Sequence, residues 1–86
     1  MDNTKSVTVT NAATEIVGLN QNRKVLTLYN NGSVTVFLGF TSTDCTTSSL
    51  PLLPQTYITF HLKADPIFGI TASSTCDIRV WEDERA

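Results

Sequence analysis

Residues 25–40 read VLTLYNNGSVTVFLGF, and this stretch carries the strongest folding signal in the chain. Two runs rich in alternating apolar residues, 25–29 and 34–40, flank the turn sequence Asn30-Asn31-Gly32. Asparagine followed by glycine between two such runs is typical of a β-hairpin. We therefore predict that the two runs are antiparallel neighbours in one sheet.

The loop length of this hairpin follows from the side chains that it brings together. A two-residue loop would place Leu28 opposite Thr35 and mix apolar with polar residues on each face. A three-residue loop places Leu28 opposite Val34 and gathers most apolar residues on one face. We prefer the three-residue loop, with Gly32 in the left-handed conformation that is free of strain only without a Cβ atom.

Alternating apolar residues predict short strands on both sides of this stretch. Two prolines within Leu50–Pro54 exclude a central strand there, because proline donates no hydrogen bond to a neighbouring strand. Further strands are predicted at Ser6–Thr10, Thr14–Leu19, Thr56–Leu62, residues 68–72 and Asp77–Trp81. With a turn about every 8 to 12 residues, the pattern predicts a single small antiparallel β-sandwich or barrel of about seven strands, similar to a jelly roll.

Composition favours strands over helices in one domain. The chain has 86 residues, and threonine, valine and isoleucine together fill 26 of them. These β-branched side chains are stiff in a helix and pack well on a pleated sheet. Within a single β domain at 1–86 we expect an N-terminal arm at 1–5, a β core at 6–81 and a charged C-terminal tail at 82–86.

Charge and hydropathy argue against two classes of partner. Eight acidic and six basic residues give a formal net charge of −2, whereas a nucleic-acid-binding domain usually carries a dense basic patch. The chain has no apolar run of the length that spans a membrane, and its first residues lack the apolar core of a secretory signal. We expect synthesis in a cytoplasm and no binding to nucleic acid or membrane.

Few residues are suited to catalysis or metal binding. His61 is the only histidine, and no motif around it supplies the partners of a catalytic triad. Cys45 and Cys76 lack the close spacing of a zinc site, and we favour two free thiols over a disulfide. The carboxylates that we considered as an acid–base pair, Asp44, Asp65, Asp77 and Glu82, all lie in polar sequence. We predict no catalytic residue, cofactor or metal, and no enzyme.

Four aromatic residues stand where strand alternation calls for polar ones. Tyr29, Phe37, Tyr57 and Trp81 are expected on outward faces, with Tyr29 and Phe37 on neighbouring strands of the hairpin. Clustered exposed aromatic side chains mark protein contacts. Their cover is either the chain's own segment Leu50–Pro54 or a partner protein, and the sequence leaves both open. These four residues are the candidate protein-contact residues.

The sequence resembles small β-domain accessory proteins from the virions of tailed bacteriophages. The resemblance is carried by Asn22-Arg23-Lys24-x-Leu26-x-Leu28-x-Asn30-Asn31-Gly32-Ser33-x-x-Val36-x-Leu38-Gly39, by Leu50-Pro51-Leu52-x-Pro54, by Ile67-Phe68-Gly69-Ile70-Thr71-Ala72 and by Cys76-Asp77-Ile78-Arg79-Val80-Trp81-Glu82, within a likeness over roughly residues 6–82. The chain departs from these proteins at Pro54-Gln55, where they tend to have Pro-Gly, and in its Cys45 loop.

The resemblance implies a structural virion protein that cements or decorates the capsid. Its expected partners are the major capsid protein and other copies of itself, and its expected location is the virion. An alternative is a carbohydrate-binding or host-attachment module of a phage tail or head fibre, in which Trp81 or Tyr57 would stack on sugar rings. A sugar site requires an aromatic side chain in a shallow groove with polar groups at its rim, whereas a capsid contact requires a broader patch.

Overall fold

The computed structural model describes residues 2–61 and 64–84, and the regular secondary structure of these residues consists of β-strands. In chain order the eight strands are β1 (Asp2–Val9), β2 (Thr14–Val17), β3 (Arg23–Asn30), β4 (Val36–Gly39), β5 (Leu50–Leu52), β6 (Tyr57–His61), β7 (Ile67–Ile70) and β8 (Cys76–Glu84). Met1, Leu62, Lys63, Arg85 and Ala86 lie outside the described residues, and with them the end of the strand expected at Thr56–Leu62. Within the described ranges, no helix is long and apolar enough to cross a membrane.

The strands form an antiparallel ribbon that is folded over on itself. β1 pairs with β8, β2 with β7, β3 with β6 and β4 with β5. Additional pairing of β3 with β8 and of β4 with β7 produces two four-stranded sheets. Sheet A has the order β1-β8-β3-β6, and sheet B has the order β2-β7-β4-β5. This is the strand order of a jelly roll, so the predicted β-sandwich is confirmed, with eight strands instead of about seven.

The hairpin predicted around Asn30-Asn31-Gly32 is wrong. β3 lies in sheet A and β4 in sheet B, so residues 31–35 cross between the sheets instead of turning within one. The loop that does join neighbouring strands is residues 40–49, between β4 and the edge strand β5. A local asparagine-glycine signal specifies a bend, but contacts between distant parts of the chain decide which strands become neighbours.

The side chain of Asn30 stabilises the corner at which the chain crosses from sheet A to sheet B. This side chain is fully buried, and its Nδ2 donates to the carbonyl oxygens of Val34 and Leu52, both at 2.9 Å. Its Oδ1 accepts from the Gly32 amide at 2.9 Å and from the Cys76 thiol at 2.8 Å. Gly32 does not have a positive φ, which corrects the left-handed conformation that we predicted. Glycine suits this position because a Cβ atom would overlap Cys76 Sγ.

The core lies between the inner faces of the two sheets. A bulge between Glu15 and Val17 allows both Ile16 and Val17 to be buried, which strict alternation would not permit. Ile58 and Phe60 of β6 are partly buried and pack against the core cluster. Its buried members are Val9, Ile16, Val17, Leu26, Leu28, Val36, Leu38, Leu52, Ile67, Cys76, Ile78 and Val80.

Residues 2–5 of the expected N-terminal arm and residues 82–84 of the expected charged tail lie in strands. β1 begins at Asp2 and β8 continues to Glu84, and the two strands pair from Asp2 opposite Asp83 to Val9 opposite Cys76. Both ends contain few apolar residues. Backbone hydrogen bonds to a neighbouring strand do not depend on apolar side chains.

Candidate protein-contact surface

Three of the four candidate residues meet on the outer side of sheet A. Tyr29 pairs with Tyr57 on one side and with Arg79 on the other, while Thr27 pairs with Trp81. Tyr29 and Trp81 are therefore diagonal neighbours on adjacent strands, within reach of each other for aromatic side chains. Tyr57 is 70% exposed and Trp81 is 48% exposed. The aromatic face, as we name it, is the outer side of sheet A around Tyr29, Tyr57 and Trp81.

Phe37 lies on the opposite side of the sandwich, which corrects its expected proximity to Tyr29. It is placed between Pro51 of β5 and Ile70 of β7, on the outer side of sheet B. The 40–49 loop folds onto the same part of sheet B, because Cys45 is buried and its thiol donates to the Phe37 carbonyl at 3.4 Å. Phe37 is half-buried there and cannot share a flat partner with the aromatic face.

The segment Leu50–Pro54 does not cover the aromatic face. Its first three residues form β5, the edge strand of sheet B, and Leu50 and Leu53 are themselves 49% and 56% exposed. Of the two covers that the sequence leaves open, the chain's own segment is thereby excluded for Tyr57 and Trp81. Both side chains are accessible to a partner.

Gln55 positions Tyr29 at one end of the aromatic face. Its φ of 61° lies in the left-handed region, which glycine adopts most readily. In this chain the glutamine side chain makes two contacts that glycine would not: Oε1 accepts from the Tyr29 hydroxyl at 2.8 Å, and Nε2 donates to the Gly32 carbonyl at 3.0 Å.

A charged pair borders the aromatic face beside Tyr29. Asn31 Nδ2 donates to Asp77 Oδ2 at 3.1 Å, and Arg79 Nε donates to the same oxygen at 2.8 Å. The hydrogen bond from Asn31, and after it the one from Arg79, holds the pKa of Asp77 below its usual value. The Arg79 side chain is 58% exposed and is accessible to a partner while it holds Asp77.

Replacing Asn31 by alanine is expected to raise the pKa of Asp77 toward its ordinary value, because the larger stabilising contact of the carboxylate is lost. Since the folded-state pKa is depressed, this contact stabilises the fold above the unfolded pKa, and its contribution is lost as pH falls through the folded pKa. An NMR titration of the Asp77 carboxyl measures the shift, with Asn22→Ala as an exposed control. An unchanged Asp77 pKa in Asn31→Ala would show that the Asn31 side chain does not lower this pKa.

The two cysteines are free and buried in separate environments. Cys45 contacts Phe37 in sheet B, whereas Cys76 contacts Asn30 at the corner between the sheets. Burial raises the pKa of both thiols, which favours the unreactive protonated form. In residues 2–61 and 64–84, no group of three or more His, Cys, Asp or Glu side chains is placed to bind a metal ion.

No protein-family model and no curated protein matches the sequence. The fold is similar to that of a de novo designed double-stranded β-helix determined by solution NMR, with a TM-score of 0.56 and 12% identity over 96% of this chain and 99% of that chain. It is also similar to a chain from Bacillus endospore appendages, described as a novel family of disulfide-linked pili, with a TM-score of 0.49 and 13% identity over 100% of this chain and 87% of that chain. At 12% identity, the likeness to the designed protein concerns the fold alone.

Proposed function

We propose that the protein is a non-catalytic assembly module that binds a protein surface through the aromatic face. The observation that carries this proposal is the grouping of Tyr29, Tyr57 and Trp81 on one exposed side of a β-sandwich. Tryptophan, tyrosine and arginine are the side chains most enriched where binding energy concentrates in interfaces, and Arg79 adjoins the group. A rigid sheet also holds these side chains in place before binding, which lowers the entropy lost on association.

The shape of the aromatic face favours a broad, flat partner. Thr27 and Thr59 lie side by side in its middle, and their hydroxyl groups are hydrogen-bonded at 3.2 Å. The short side chain of Thr27 lies between Trp81 and Thr59 on neighbouring strands. Aromatic side chains spread over the open side of a sheet are suited to a protein partner, whereas a sugar ring requires a groove.

The partner that we propose is the capsid of a tailed bacteriophage, which the protein would cement or decorate. This step is supported by the resemblance to accessory virion proteins over roughly residues 6–82. A capsid repeats the same binding site many times. Several linked copies of a small module can then bind tightly although each single contact is modest.

Trp81→Ala is expected to leave the domain folded and to weaken capsid binding at least ~30-fold, equivalent to about 2 kcal/mol. The fold is retained because Trp81 is half exposed and lies outside the core cluster. Co-sedimentation with purified capsids measures binding, and thermal melting of the same variant measures stability. Leu50→Ala is the matched control, because Leu50 is 49% exposed but lies on β5 of sheet B.

Two results would contradict the proposal. A stable Trp81→Ala variant that binds capsids like the wild type would remove Trp81 from the interface. Binding of the wild type to surface glycans but not to capsids, with loss of glycan binding in Trp81→Ala, would assign the aromatic face to host attachment instead.

A further inference from the structure

Among the described strands, β1 is the longest sheet edge, and its exposed residues include one charge, Lys5. The four edges are β1 and β6 in sheet A and β2 and β5 in sheet B. β5 has three residues including Pro51, β2 has four residues and a bulge, and β6 has five residues. β1 has eight residues without proline and pairs with β8 without a register shift. Short length, proline and bulges are features that prevent an edge from pairing with another strand.

The surroundings of β1 leave room for an added strand. Its exposed side chains are short or flexible, namely Thr4, Lys5, Ser6 and Thr8. The side of β1 that faces away from β8 is paired with no other described strand. Its outward N–H and C=O groups are therefore open to an added strand.

We propose that β1 pairs with β1 of a second copy of this chain across a two-fold axis, joining two A sheets into one eight-stranded sheet. Antiparallel partners direct their N–H and C=O groups either toward each other or both away from each other. These directions alternate along β1. A residue of one copy can therefore pair only with the same residue of the second copy, or with a residue whose number differs from its own by an even number. The two-fold axis therefore passes between one residue of β1 and the same residue of the partner's β1, and that residue is the centre of the pairing.

The sequence of β1 selects one register. Within Asp2–Val9, two registers give seven pairs, one over residues 2–8 centred on Lys5 and one over residues 3–9 centred on Ser6. The first places Lys5 opposite Lys5, and like charges directly opposite each other are destabilising. The second places Ser6 opposite Ser6, Thr4 opposite Thr8 and Lys5 opposite Val7. The Ser6-centred register pairs hydroxyl residues with each other and opposes no like charges directly.

Pairing of two copies also doubles the area that the outer side of sheet A offers to a protein partner. Four strands of about eight residues, spaced ~4.8 Å apart with a rise of ~3.3 Å, present roughly 500 Å² on one side. A standard protein interface buries about 800 Å² on each partner. Two joined A sheets present about 1,000 Å², which exceeds that value. This last argument rests on the proposed function, whereas the edge and register arguments stand without it.

Charge substitutions at Ser6 test the pairing in solution without capsids. Sedimentation equilibrium of the full chain is expected to show a reversible dimer. Ser6→Glu and Ser6→Lys each place like charges opposite each other on the two-fold axis, so each is expected to weaken the dimer about fivefold or more. An equimolar mixture of the two variants is expected to restore it, because Glu then faces Lys. Thr59→Glu and Thr59→Lys, on the edge strand β6, are matched controls that should leave the dimer unchanged.

A wild type that stays monomeric at millimolar concentration would overturn the proposal. So would a dimer that is insensitive to both Ser6 variants, or one that the Thr59 variants weaken. Hydrogen exchange of the wild type provides a readout that needs no variant, since the outward amides of β1 should become protected as concentration rises. If these dimer tests fail but Trp81→Ala still loses capsid binding, the dimer proposal is rejected and the proposed function is retained.

Discussion

Replacing Asn30 by aspartate is expected to lower the free energy of unfolding by about 3–5 kcal/mol at neutral pH, the range for an uncompensated buried charge. The substitution keeps the shape of the side chain but removes both hydrogen-bond donors of the amide. A carboxylate oxygen would then face the carbonyl oxygens of Val34 and Leu52, each 2.9 Å from Nδ2 in the wild type. Asn30 is 0% exposed, so water cannot take the place of the lost donors.

The pH dependence of this variant distinguishes a buried charge from a simple loss of packing. Burial raises the folded-state pKa of the introduced carboxyl above its unfolded value of about 3.9. The destabilisation is therefore smallest below the unfolded pKa and increases as pH rises toward the folded pKa. Urea unfolding at pH 4 and pH 7 measures the difference. Asn11→Asp, in an exposed turn, should change the unfolding free energy by less than about 0.5 kcal/mol at either pH.

Equal losses of stability in Asn30→Asp and Asn11→Asp would show that the Asn30 amide does not hold the corner between the sheets. A loss in Asn30→Asp that is the same at pH 4 and pH 7 would show that the introduced carboxyl is not buried as a charge. The wild-type fold makes both results unexpected, because the Asn30 side chain has protein partners for each of its donors and for its acceptor.

Strand positions and side-chain directions were predictable because they depend on local alternation. Ile78 and Val80 are buried and Trp81 is exposed, as expected from the period of two along a strand. The same rule placed Tyr29 and Tyr57 on outward positions. The meeting of these three aromatic residues depends on β8, β3 and β6 being neighbours, and the sequence pattern did not specify that order.

Strand neighbours were not predictable because their causes are distant in sequence. The apolar pattern of residues 25–40 suits both a hairpin and a crossing between two sheets. What decides between them includes the Asn30 amide, whose bond to Leu52 joins positions 22 residues apart. The predicted proximity of Phe37 to Tyr29 was wrong because it depended on this hairpin. The ion pair of Arg23 with Glu82 joins positions 59 residues apart, and no local signal indicates it.

Arg23→Met is expected to lower the free energy of unfolding by about 3–5 kcal/mol, the cost of removing one partner from a buried ion pair. The Arg23 side chain is 0% exposed, and its Nε lies 2.8 Å from Glu82 Oε2. Its Nη2 donates to the Gly18 carbonyl at 2.7 Å, and its Nη1 donates to the Asp65 carbonyl at 3.0 Å. One guanidinium thus links β3 and β8 to the loop before β3 and to the loop before β7.

A double-mutant cycle separates the ion pair from the two carbonyl contacts of Arg23. Arg23→Met leaves the Glu82 carboxylate, which is only 13% exposed, without its guanidinium partner. Arg23→Met/Glu82→Leu removes that charge as well, so the double variant should be more stable than the sum of the two single losses predicts, by about 1–3 kcal/mol. The carbonyl oxygens of Gly18 and Asp65 still lose their guanidinium donors, so the double variant should remain less stable than the wild type. Urea unfolding of all four proteins measures the coupling, with the exposed neighbour substitution Lys24→Met as control. Additive losses, or an Arg23→Met variant as stable as Lys24→Met, would show that this end of the sandwich does not depend on the guanidinium.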